Sequence, residues 1–340
     1  MAGFEGEEEL VAWLRERLPR VGDDAASVRF EHPLAITTDS QVEGVHFPPG
    51  LNAALIARRL VRVNLSDLAA SGAEPLCATC CVVGPQDFDL RGFFAALIEE
   101  CQRYGVELIG GDTTRSPTTS CSLTLFGETT VGQMLQRSAA RAGDVVWHSG
   151  ELGHAALGWR LQQLGARLSV DGVADLRAVQ ALAGSGLTNE ILHAAQSCVL
   201  SHRLPGPRIE LGRQLQEISR NHRVATIDIS DGLLKDAGRL AVASAVGIEL
   251  ERSALEPTGA FRTLCQVLGE PSWSHTVSGG EDYELLFTLP EGVDPPPDCR
   301  RVGRTIGETD RRGRVWFDRR PNELGDRTEG WDHLRPGSAR

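Results

Sequence analysis

The fold class is decided by residues 225–232, which read Ala-Thr-Ile-Asp-Ile-Ser-Asp-Gly. The apolar run 225–227 predicts a buried strand, and residues 232–246 predict a helix that follows it directly. Asp228 and Asp231 therefore stand where a strand passes into a helix. In α/β proteins, ligands usually bind at such strand ends and in the loops beside them. The stretch predicts an α/β scaffold with a polar ligand site at this point.

Two earlier segments repeat this layout of a strand that runs into an acid. Residues 35–39 read Ala-Ile-Thr-Thr-Asp, and residues 108–112 read Leu-Ile-Gly-Gly-Asp, with the glycines at the expected strand exit. Asp67 differs, because it lies inside a predicted helix, three residues after Asn64 and on the same face. Aspartate is disfavoured in a helix interior, since its side chain competes for backbone hydrogen bonds. Asp67 is therefore a candidate functional acid.

Strands and helices alternate along the 340 residues, which indicates an α/β or α+β protein of about two domains. The expected helices are 8–18, 51–71, 90–104, 208–219 and 232–246, and 153–186 is expected to be helical with breaks. The expected strands are 27–30, 34–38, 76–83, 107–109, 122–131, 145–148, 224–229 and 283–289. A turn at 141–144 marks the expected boundary between domains 1–141 and 142–340.

The composition argues against several classes of function. The formal net charge of −11 argues against a nucleic-acid partner, which requires a basic stripe. No apolar stretch approaches the roughly 20 residues that span a bilayer, so no membrane partner is expected. The acidic N-terminal residues lack the layout of a signal peptide, and the cytoplasm is the expected location. Lys235 is the only lysine, and no Gly-Lys-Ser/Thr triplet of a Walker-type phosphate loop is present.

The eight cysteines do not suggest a disulfide framework in a chain of this length. Cys77 and Cys80 have the C-x-x-C spacing of zinc ligands. They lie in the apolar run 76–83, which predicts a buried strand, and no second pair of this kind follows. Because a structural zinc site needs four closed ligands, the strand interpretation is favoured.

The aspartates have separate structural explanations and one joint functional explanation. Ser230 or Asp231 could cap the following helix, and Asp23 or Asp24 could stabilise a turn. If the acids converge instead, their repulsion is prohibitive unless cations neutralise them. Oxygen ligands without thiols suit Mg²⁺, which commonly bridges a few carboxylates to substrate phosphates. As a set, the acids predict a Mg²⁺-dependent enzyme that acts on phosphates.

Two further motifs have alternative interpretations that the residues alone leave open. Residues 278–284 read Ser-Gly-Gly-Glu-Asp-Tyr-Glu, which is either a tight loop before a strand or a loop that contacts a ligand. His46 follows Asp39 closely, so it could reach the same site or lie on the surface.

Taken together, six stretches resemble the thiamine-monophosphate kinase family, which shares a superfamily with aminoimidazole ribonucleotide synthetase and selenophosphate synthetase. They occur in family order: 22–26 (GDDAA), 36–47 (ITTDSQVEGVHF), 64–74 (NLSDLAASGAE), 109–115 (IGGDTTR), 228–234 (DISDGLL) and 278–285 (SGGEDYEL), followed by 330–333 (GWDH). The resemblance implies a two-domain α/β (α+β) fold like that of aminoimidazole ribonucleotide synthetase. Its N-terminal domain would hold a mixed sheet with helices, its C-terminal domain would be α/β, and the first-domain sheets would pair in a homodimer.

The same resemblance implies three sets of site residues. Several Mg²⁺ ions would be bound by Asp24, Thr37, Thr38, Asp39, Asp67, Asp112, Asp228 and Asp231. ATP would contact Gly111, Asp112, Arg137 and Ser230. Thiamine monophosphate would contact His46, Glu281 and Trp331. The implied reaction moves the γ-phosphoryl group of ATP onto the substrate phosphate, giving thiamine diphosphate and ADP. Because that phosphate is already an anionic nucleophile, no dedicated general base is expected.

The chain departs from the family pattern at two places, and other members of the superfamily are alternative assignments. Val45 stands where relatives often have Asn, and 150–202 matches the family poorly. Selenophosphate synthetase would be expected to show a reactive Cys or selenocysteine and a lysine near the N-terminus, and the first 76 residues contain neither Cys nor Lys. The hydrogenase-maturation relative ends in a cysteine-bearing tail, unlike this chain, and the 330–333 motif argues against aminoimidazole ribonucleotide synthetase. A non-catalytic nucleotide-binding protein on this scaffold would be expected to lack several of the metal acids.

Overall fold

A computed structural model of the chain describes residues 4, 7–20, 25–129, 133–183, 188–318 and 320–321. The chain forms two compact units. The first comprises Met1–Leu68 and Gly72–Met134, and the second comprises Ala69–Ser71 and Leu135–Arg340. The main division thus follows residue 134, a few residues before the boundary expected from the sequence.

Helices and strands alternate through the described ranges. The α-helices are α1 Glu7–Arg15, α2 Ala53–Ser71, α3 Leu90–Arg103, α4 His154–Gln163, α5 Arg177–Ala183, α6 Asn189–Arg203, α7 Ile209–Ile218, α8 Leu233–Ser244, α9 Arg252–Leu255, α10 Gly259–Leu268 and α11 Ser272–Ser278. The strands are β1 Leu34–Val42, β2 Glu74–Gly84, β3 Glu107–Arg115, β4 Ser120–Glu128, β5 Val145–Ser149, β6 Arg167–Leu168, β7 Ala174–Asp175, β8 Ala225–Asp228, β9 Gly247–Leu250, β10 Leu285–Leu289, β11 Cys299–Ile306, β12 Val315–Phe317 and β13 Arg320–Pro321.

The first unit is built on a mixed four-stranded sheet in the order β1-β4-β2-β3. β4 pairs antiparallel with β1 and with β2, whereas β2 and β3 are parallel. The side chains of β1 alternate between the two faces, as in any strand. Ala35, Thr37 and Asp39 lie on the face that α2 covers, because the Thr37 hydroxyl bonds to Asp67 of α2 and side chains two residues apart share a face. The predicted N-terminal mixed sheet with helices is confirmed.

The opposite face of this sheet, called here the open face, contains three adjacent cross-strand rows between a row with Leu34 and Glu128 and a row with Val42 and Ser120. The register across β1, β4 and β2 gives the rows Ile36–Phe126–Cys77, Thr38–Thr124–Thr79 and Ser40–Ser122–Cys81. Hydroxyl groups bridge neighbouring strands in two rows, at 2.9 Å between Thr38 and Thr124 and at 2.6 Å between Ser40 and Ser122. Ile36 leaves 59% of its surface exposed. The open face thus combines an exposed apolar residue with rows of small polar side chains.

The second unit is built on a seven-stranded sheet in the order β13-β12-β9-β11-β5-β10-β8. All its pairs are antiparallel except β9 with β12. Helix α8 packs on this sheet through a buried apolar cluster that includes Leu233, Leu240, Ile227 and Ile248. This packing fixes the loop between β8 and α8, which follows Asp228 and contains Asp231.

A group of helices in the second unit forms a separate apolar cluster. Leu157 and Leu161 of α4 pack with Val199 of α6 and with α10. Gly158 permits close approach of α4 to α6, because a Cβ at this position would lie 1.9 Å from the backbone oxygen of Cys198. This cluster anchors the C-terminal end of α6, where His202 and Arg203 are buried.

Most predicted elements are confirmed, and the differences have physical causes. The expected strand at 27–30 is wrong: the Ser27 carbonyl accepts a bond from the Arg20 side chain, and the Glu31 N–H donates to the Glu128 carboxylate, so side chains replace a strand partner here. The predicted break-rich helical region 153–186 contains α4 and α5, with the β6–β7 pair between them. Cys77 and Cys80 are buried in β2, as the strand interpretation predicted. No helix within the described ranges is long and apolar enough to cross a bilayer.

Candidate functional site

In the first unit, helix α2 joins the predicted metal residues of β1. The Thr37 hydroxyl donates to the Asp67 carboxylate at 2.5 Å, and the Asp39 N–H donates to the Asn64 side-chain oxygen at 3.0 Å. Asp67 and Asn64 share one face of α2, as their spacing predicted. The expectation that Asp39 ends its strand is wrong, because β1 continues to Val42 and keeps pairing with β4. The acid therefore stands within a strand that its neighbours hold rigidly.

Thr38 lies apart from this group. The alternation of β1 directs its side chain to the open face, where its hydroxyl bonds to Thr124. The structure therefore does not bring the Thr38 hydroxyl to Thr37 and Asp39, so any Thr38 metal contact on their face would have to come from its backbone carbonyl.

Gly111 and Asp112 lie within β3, not at its exit as expected from the sequence, because β3 extends to Arg115. Gly111 faces Cys80 of the parallel strand β2, and a Cβ at position 111 would lie 1.8 Å from the Cys80 carbonyl oxygen. The Asp112 side chain is exposed, and the Thr114 hydroxyl donates to it at 3.4 Å. The strand thus presents an accessible carboxylate on a stretch of backbone where only glycine fits beside β2.

His46 is held by the strand that precedes it. The Val42 N–H donates to Nδ1 of His46 at 3.0 Å. Since Nδ1 accepts this bond, the proton of the neutral imidazole lies on Nε2. His46 is half-buried, so its side chain is neither fully exposed at the surface nor fully enclosed.

In the second unit, the loop after β8 and the loop before β10 are joined backbone to backbone. The Glu281 N–H donates to the Ser230 carbonyl at 2.7 Å, and the Tyr283 N–H donates to the Ile229 carbonyl at 2.9 Å. Glycines permit this approach: a Cβ at Gly280 would lie 2.7 Å from the Ser230 oxygen, and one at Gly232 would lie 2.8 Å from the Ser278 oxygen. The predicted ATP contact Ser230 and the predicted substrate contact Glu281 are therefore adjacent.

Asp228 and Asp231 stand on either side of Ser230 in different surroundings. Asp228 is the last residue of β8 and is buried, which confirms its predicted place at a strand end. Asp231 forms ion pairs with Lys235 at 2.9 Å and with Arg239 at 2.5 Å. Neither Ser230 nor Asp231 caps α8 with its side chain, since Gly232 is the N-cap residue.

Behind this loop, Asp236 fixes the start of α8. Its carboxylate accepts from the Asp231 N–H at 2.9 Å and from Arg239 at 2.6 Å. Burial raises the pKa of Asp236 to about 6, against the lowering effect of Arg239. The lone lysine and Arg239 thus surround the acidic loop with positive charge, which suits a neighbourhood where phosphate oxygens collect.

The loop before β10 is strained and is anchored by a buried acid. Glu281 and Tyr283 have φ values of 71° and 52°, a left-handed conformation that is uncommon for residues other than glycine. Between them, the Asp282 carboxylate accepts from the N–H groups of Gly153 and Ala155 at 2.8 and 3.1 Å, at the start of α4. Burial raises the pKa of Asp282 well above its usual range, and the two N–H bonds oppose that rise. Strain of this kind persists where surrounding bonds enforce it, and it is frequent at functional sites.

Arg137 lies at the surface of the second unit. It begins a short 3₁₀ turn, Arg137–Ala139, and its carbonyl accepts from the Ser244 hydroxyl at 2.6 Å. This bond ties the turn to the end of α8 and leaves the guanidinium exposed. Two further predicted contacts, Asp24 and Trp331, lie outside the described residues.

The oxygen ligands of the described residues fit Mg²⁺ brought by a nucleotide better than a closed metal cage. The described residues contain no group of three or more His, Cys, Asp or Glu side chains that could hold a metal ion. Mg²⁺ usually takes one or two protein carboxylates together with water and substrate phosphates. The pair of Thr37 and Asp67 in the first unit offers oxygen ligands of that kind, as does the Asp228–Asp231 segment in the second.

Comparisons of the sequence and of the structure with known proteins point to the same family. The family model for the N-terminal domain of AIR synthase related proteins matches residues 22–132. Thiamine-monophosphate kinase of Escherichia coli O157:H7 is 36% identical over 80% of this chain and 76% of its own. The chain belongs to the thiamine-monophosphate kinase family. The resemblance inferred from the six stretches is thus confirmed.

Solved structures of the family match this chain over nearly its whole length. A structure described as AaThiL complexed with AMPPCP and TMP has a TM-score of 0.74, with 28% identity, and covers 97% of both chains. The thiamine-monophosphate kinase of Stenotrophomonas maltophilia K279a has a TM-score of 0.72, with 32% identity, and covers 95% of this chain and 99% of its own. The predicted two-domain α/β fold is therefore confirmed.

Sequence reasoning missed the residues that hold the site rather than form it. Asp236 and Asp282 were not singled out, although both are buried acids with backbone N–H donors. Asp236 could have been found as an acid in the first turn of the predicted helix, where acids favour the helix dipole. For Asp282, the only signal was its place between two other acids beside a glycine pair.

Proposed function

We propose that the protein is a thiamine-monophosphate kinase, which transfers the γ-phosphoryl group of ATP to thiamine monophosphate and releases thiamine diphosphate and ADP. A substrate phosphate oxygen forms the new bond to the γ-phosphorus, and the bond from that phosphorus to the β–γ bridging oxygen breaks. The proposal is supported most strongly by identity of 36% over 76% of a thiamine-monophosphate kinase. The related structure that carries AMPPCP and TMP supports the choice of co-substrate and acceptor.

The residues have separate tasks in this reaction. Thr37, Asp39, Asp67 and Asp112 of the first unit, and Asp228 and Asp231 of the second, would hold Mg²⁺ ions, and Asp24 joins them by family resemblance. When bound, Mg²⁺ supplies positive charge between two phosphate groups whose repulsion opposes transfer. Gly111, Asp112, Arg137 and Ser230 would bind ATP, and the exposed Arg137 guanidinium adds positive charge for the phosphates.

The acceptor substrate would be bound by His46 and Glu281, together with Trp331. Glu281 offers a carboxylate that suits the amino group and the cationic ring of thiamine, and an aromatic face such as Trp331 suits a flat cation. His46 is held by the bond from the Val42 N–H to its Nδ1, which places the proton of the neutral ring on Nε2. Since the adjacent Ser230 would contact ATP, the backbone bond from Glu281 to Ser230 would fix the two substrates in relation to each other.

The decisive test is a direct product assay. Purified protein with ATP, Mg²⁺ and thiamine monophosphate is expected to form thiamine diphosphate and ADP in equal amounts, measured by separation on an anion-exchange column. Omission of Mg²⁺ with added EDTA is expected to abolish product. Formation of no thiamine diphosphate, with turnover instead of a purine precursor or of selenide, would contradict the assignment and favour another member of the superfamily.

We also propose that two copies pair through the open face of the first unit. That face has the exposed Ile36 in an apolar row, with rows of small polar side chains on one side and the row of Leu34 and Glu128 on the other. Apolar surface beside small polar residues on a regular sheet is suited to close packing against an identical surface. The cytoplasm is the proposed location, because the reaction consumes ATP and because all eight cysteines are free thiols, as expected in a reducing compartment.

A charge placed on the open face is expected to separate the copies. Ile36→Glu should give a monomer by size-exclusion chromatography with light scattering, because each dimer would bury two unpaired carboxylates. Leu182→Glu is the matched control: Leu182 is 63% exposed on α5 of the second unit, so this variant should remain a dimer. A wild-type chain that elutes as a monomer at all concentrations would refute the pairing.

A further inference from the structure

We infer that His202 is a positioning residue for Glu281, acting through a buried relay of side chains that runs from Arg203 through Gln162 and His202 to Glu281. The inference rests on the proposed function, in which Glu281 binds thiamine monophosphate, and it deepens it by assigning a role to the segment 150–202, to which the family resemblance assigns none. All four side chains belong to the second unit.

The relay begins with an arginine that fixes the orientation of an amide. Nε of Arg203 donates to Oε1 of Gln162, and arginine has no acceptor with which the contact could be reversed. The amide nitrogen of Gln162 therefore faces the other way, where it lies 2.9 Å from the Gly158 carbonyl and 3.1 Å from Nδ1 of His202. The Gly158 carbonyl can only accept a hydrogen bond, so it requires the amide nitrogen of Gln162 on its side. The contacts with Arg203 and with Gly158 therefore give the same amide orientation.

The amide orientation in turn sets the tautomer of the histidine. Since Gln162 donates to Nδ1 of His202, Nδ1 is the unprotonated nitrogen, and the neutral ring carries its proton on Nε2. Nε2 lies 3.5 Å from a carboxylate oxygen of Glu281. At 3.5 Å this is a close contact and not a formed hydrogen bond, and such contacts commonly shorten when substrate is bound.

Packing holds the imidazole ring in this place. His202 is 1% exposed and Arg203 is 2% exposed, at the end of α6. The ring of Trp159 lies against His202, with 5.2 Å between the ring centroids, and the Arg203 guanidinium lies 5.8 Å from the same indole. Burial of a polar relay to this degree carries a desolvation cost, which points to a task beyond stability.

The backbone of Glu281 is fixed independently of its side chain. Its N–H bonds to Ser230, its φ is 71°, and the next residue, Asp282, is anchored at the start of α4. The remaining freedom of Glu281 lies in its side chain, and the His202 contact restricts that freedom. The carboxylate is thereby held in one orientation for the amino group or cationic ring of the substrate.

Two substitutions of His202 by side chains of similar size distinguish hydrogen-bond donation to Glu281 from packing of the side chain. Glutamine at position 202 can place an amide nitrogen near the site of Nε2, whereas leucine fills similar volume without any donor. His202→Leu is expected to raise KM for thiamine monophosphate by about 10-fold, the effect of losing one hydrogen bond to a charged group, with KM for ATP changed by less than about 2-fold. His202→Gln is expected to stay within about 3-fold of wild type.

A double-mutant cycle tests whether His202 acts through Glu281. Glu281→Gln should itself raise KM for thiamine monophosphate, and adding His202→Leu to it should raise KM by less than about 2-fold more, because the partner is already absent. Full additivity of the two effects would overturn the inference. Equal losses in KM for both substrates, or equal losses for the Leu and Gln variants, would show a merely structural role.

A measurement that needs no turnover separates this inference from the proposed function. Nitrogen-15 NMR of histidine-labelled wild-type protein, assigned with His202→Gln, is expected to show a neutral ring with its proton on Nε2. A proton on Nδ1 instead overturns the relay. If the wild-type chain forms no thiamine diphosphate yet His202 shows the Nε2–H tautomer, the proposed substrate fails and the relay stands.

Discussion

Asp39→Asn is expected to lower kcat by about 100-fold or more while the protein stays folded, in line with the loss of one charged group that stabilises a transition state. Asparagine has nearly the shape of aspartate but lacks its charge, so it binds Mg²⁺ weakly. The fold should survive, because the bond from residue 39 to Asn64 is made by the backbone N–H, which the substitution retains. Turnover is measured at saturating ATP and thiamine monophosphate over a range of Mg²⁺ concentrations.

The control for this loss is an acid of the same unit outside the proposed site. Asp87 is exposed between β2 and α3, and Asp87→Asn should keep wild-type kcat and Mg²⁺ dependence. The Asp39→Asn variant should also require more Mg²⁺ for half-maximal rate. Wild-type turnover of a folded Asp39→Asn variant would refute a metal role for this residue.

Gly111→Ala is expected to destabilise the protein by about 3 kcal/mol, near the upper end for overpacking of a rigid site. The added Cβ would meet the Cys80 carbonyl oxygen at 1.8 Å. That oxygen belongs to the backbone of β2, so the overlap can be relieved only by moving one of two paired strands. The shift would also displace Asp112, and kinase activity should fall together with stability.

The neighbouring glycine provides a matched control. A Cβ at Gly110 would have its nearest contact at 3.8 Å, with the Thr79 methyl group, which is an ordinary van der Waals distance. Gly110→Ala should therefore change the free energy of unfolding by less than about 1 kcal/mol, as is typical of substitutions that create no steric overlap. Urea denaturation followed by circular dichroism measures both variants. Equal stability of the two variants would contradict the close approach of β3 to β2.

The sequence was sufficient to predict most helices and strands and to identify the family, because both depend on local sequence patterns. Apolar periodicity located α2 and β8, and the spacing of Asn64 and Asp67 correctly placed both on one face of a helix. Strand ends were less predictable: polar residues such as Asp39 continue a strand when neighbouring strands supply the hydrogen bonds. Pairing of that kind is a property of the folded sheet and leaves no local signal.

The contacts that support the site were beyond sequence reasoning for a related reason. Thr37 meets Asp67 across 30 residues, and Gln162 meets His202 across 40. No local rule connects positions so far apart, and each residue alone has an ordinary structural explanation. Gly280 was visible in the sequence, but its purpose was not: together with Gly232 it lets two loops approach backbone to backbone.

The ion pair between Lys235 and Asp231 has a practical consequence for chemistry on this protein. Because Lys235 is the only lysine, its ammonium group is the only side-chain amine that an acylating reagent could modify. That amine lies 2.9 Å from a proposed metal ligand and is 18% exposed. Its acylation rate would therefore report on ligand binding at the acidic loop, and mass spectrometry of the peptide that contains Lys235 would measure that modification separately from acylation of the α-amino group.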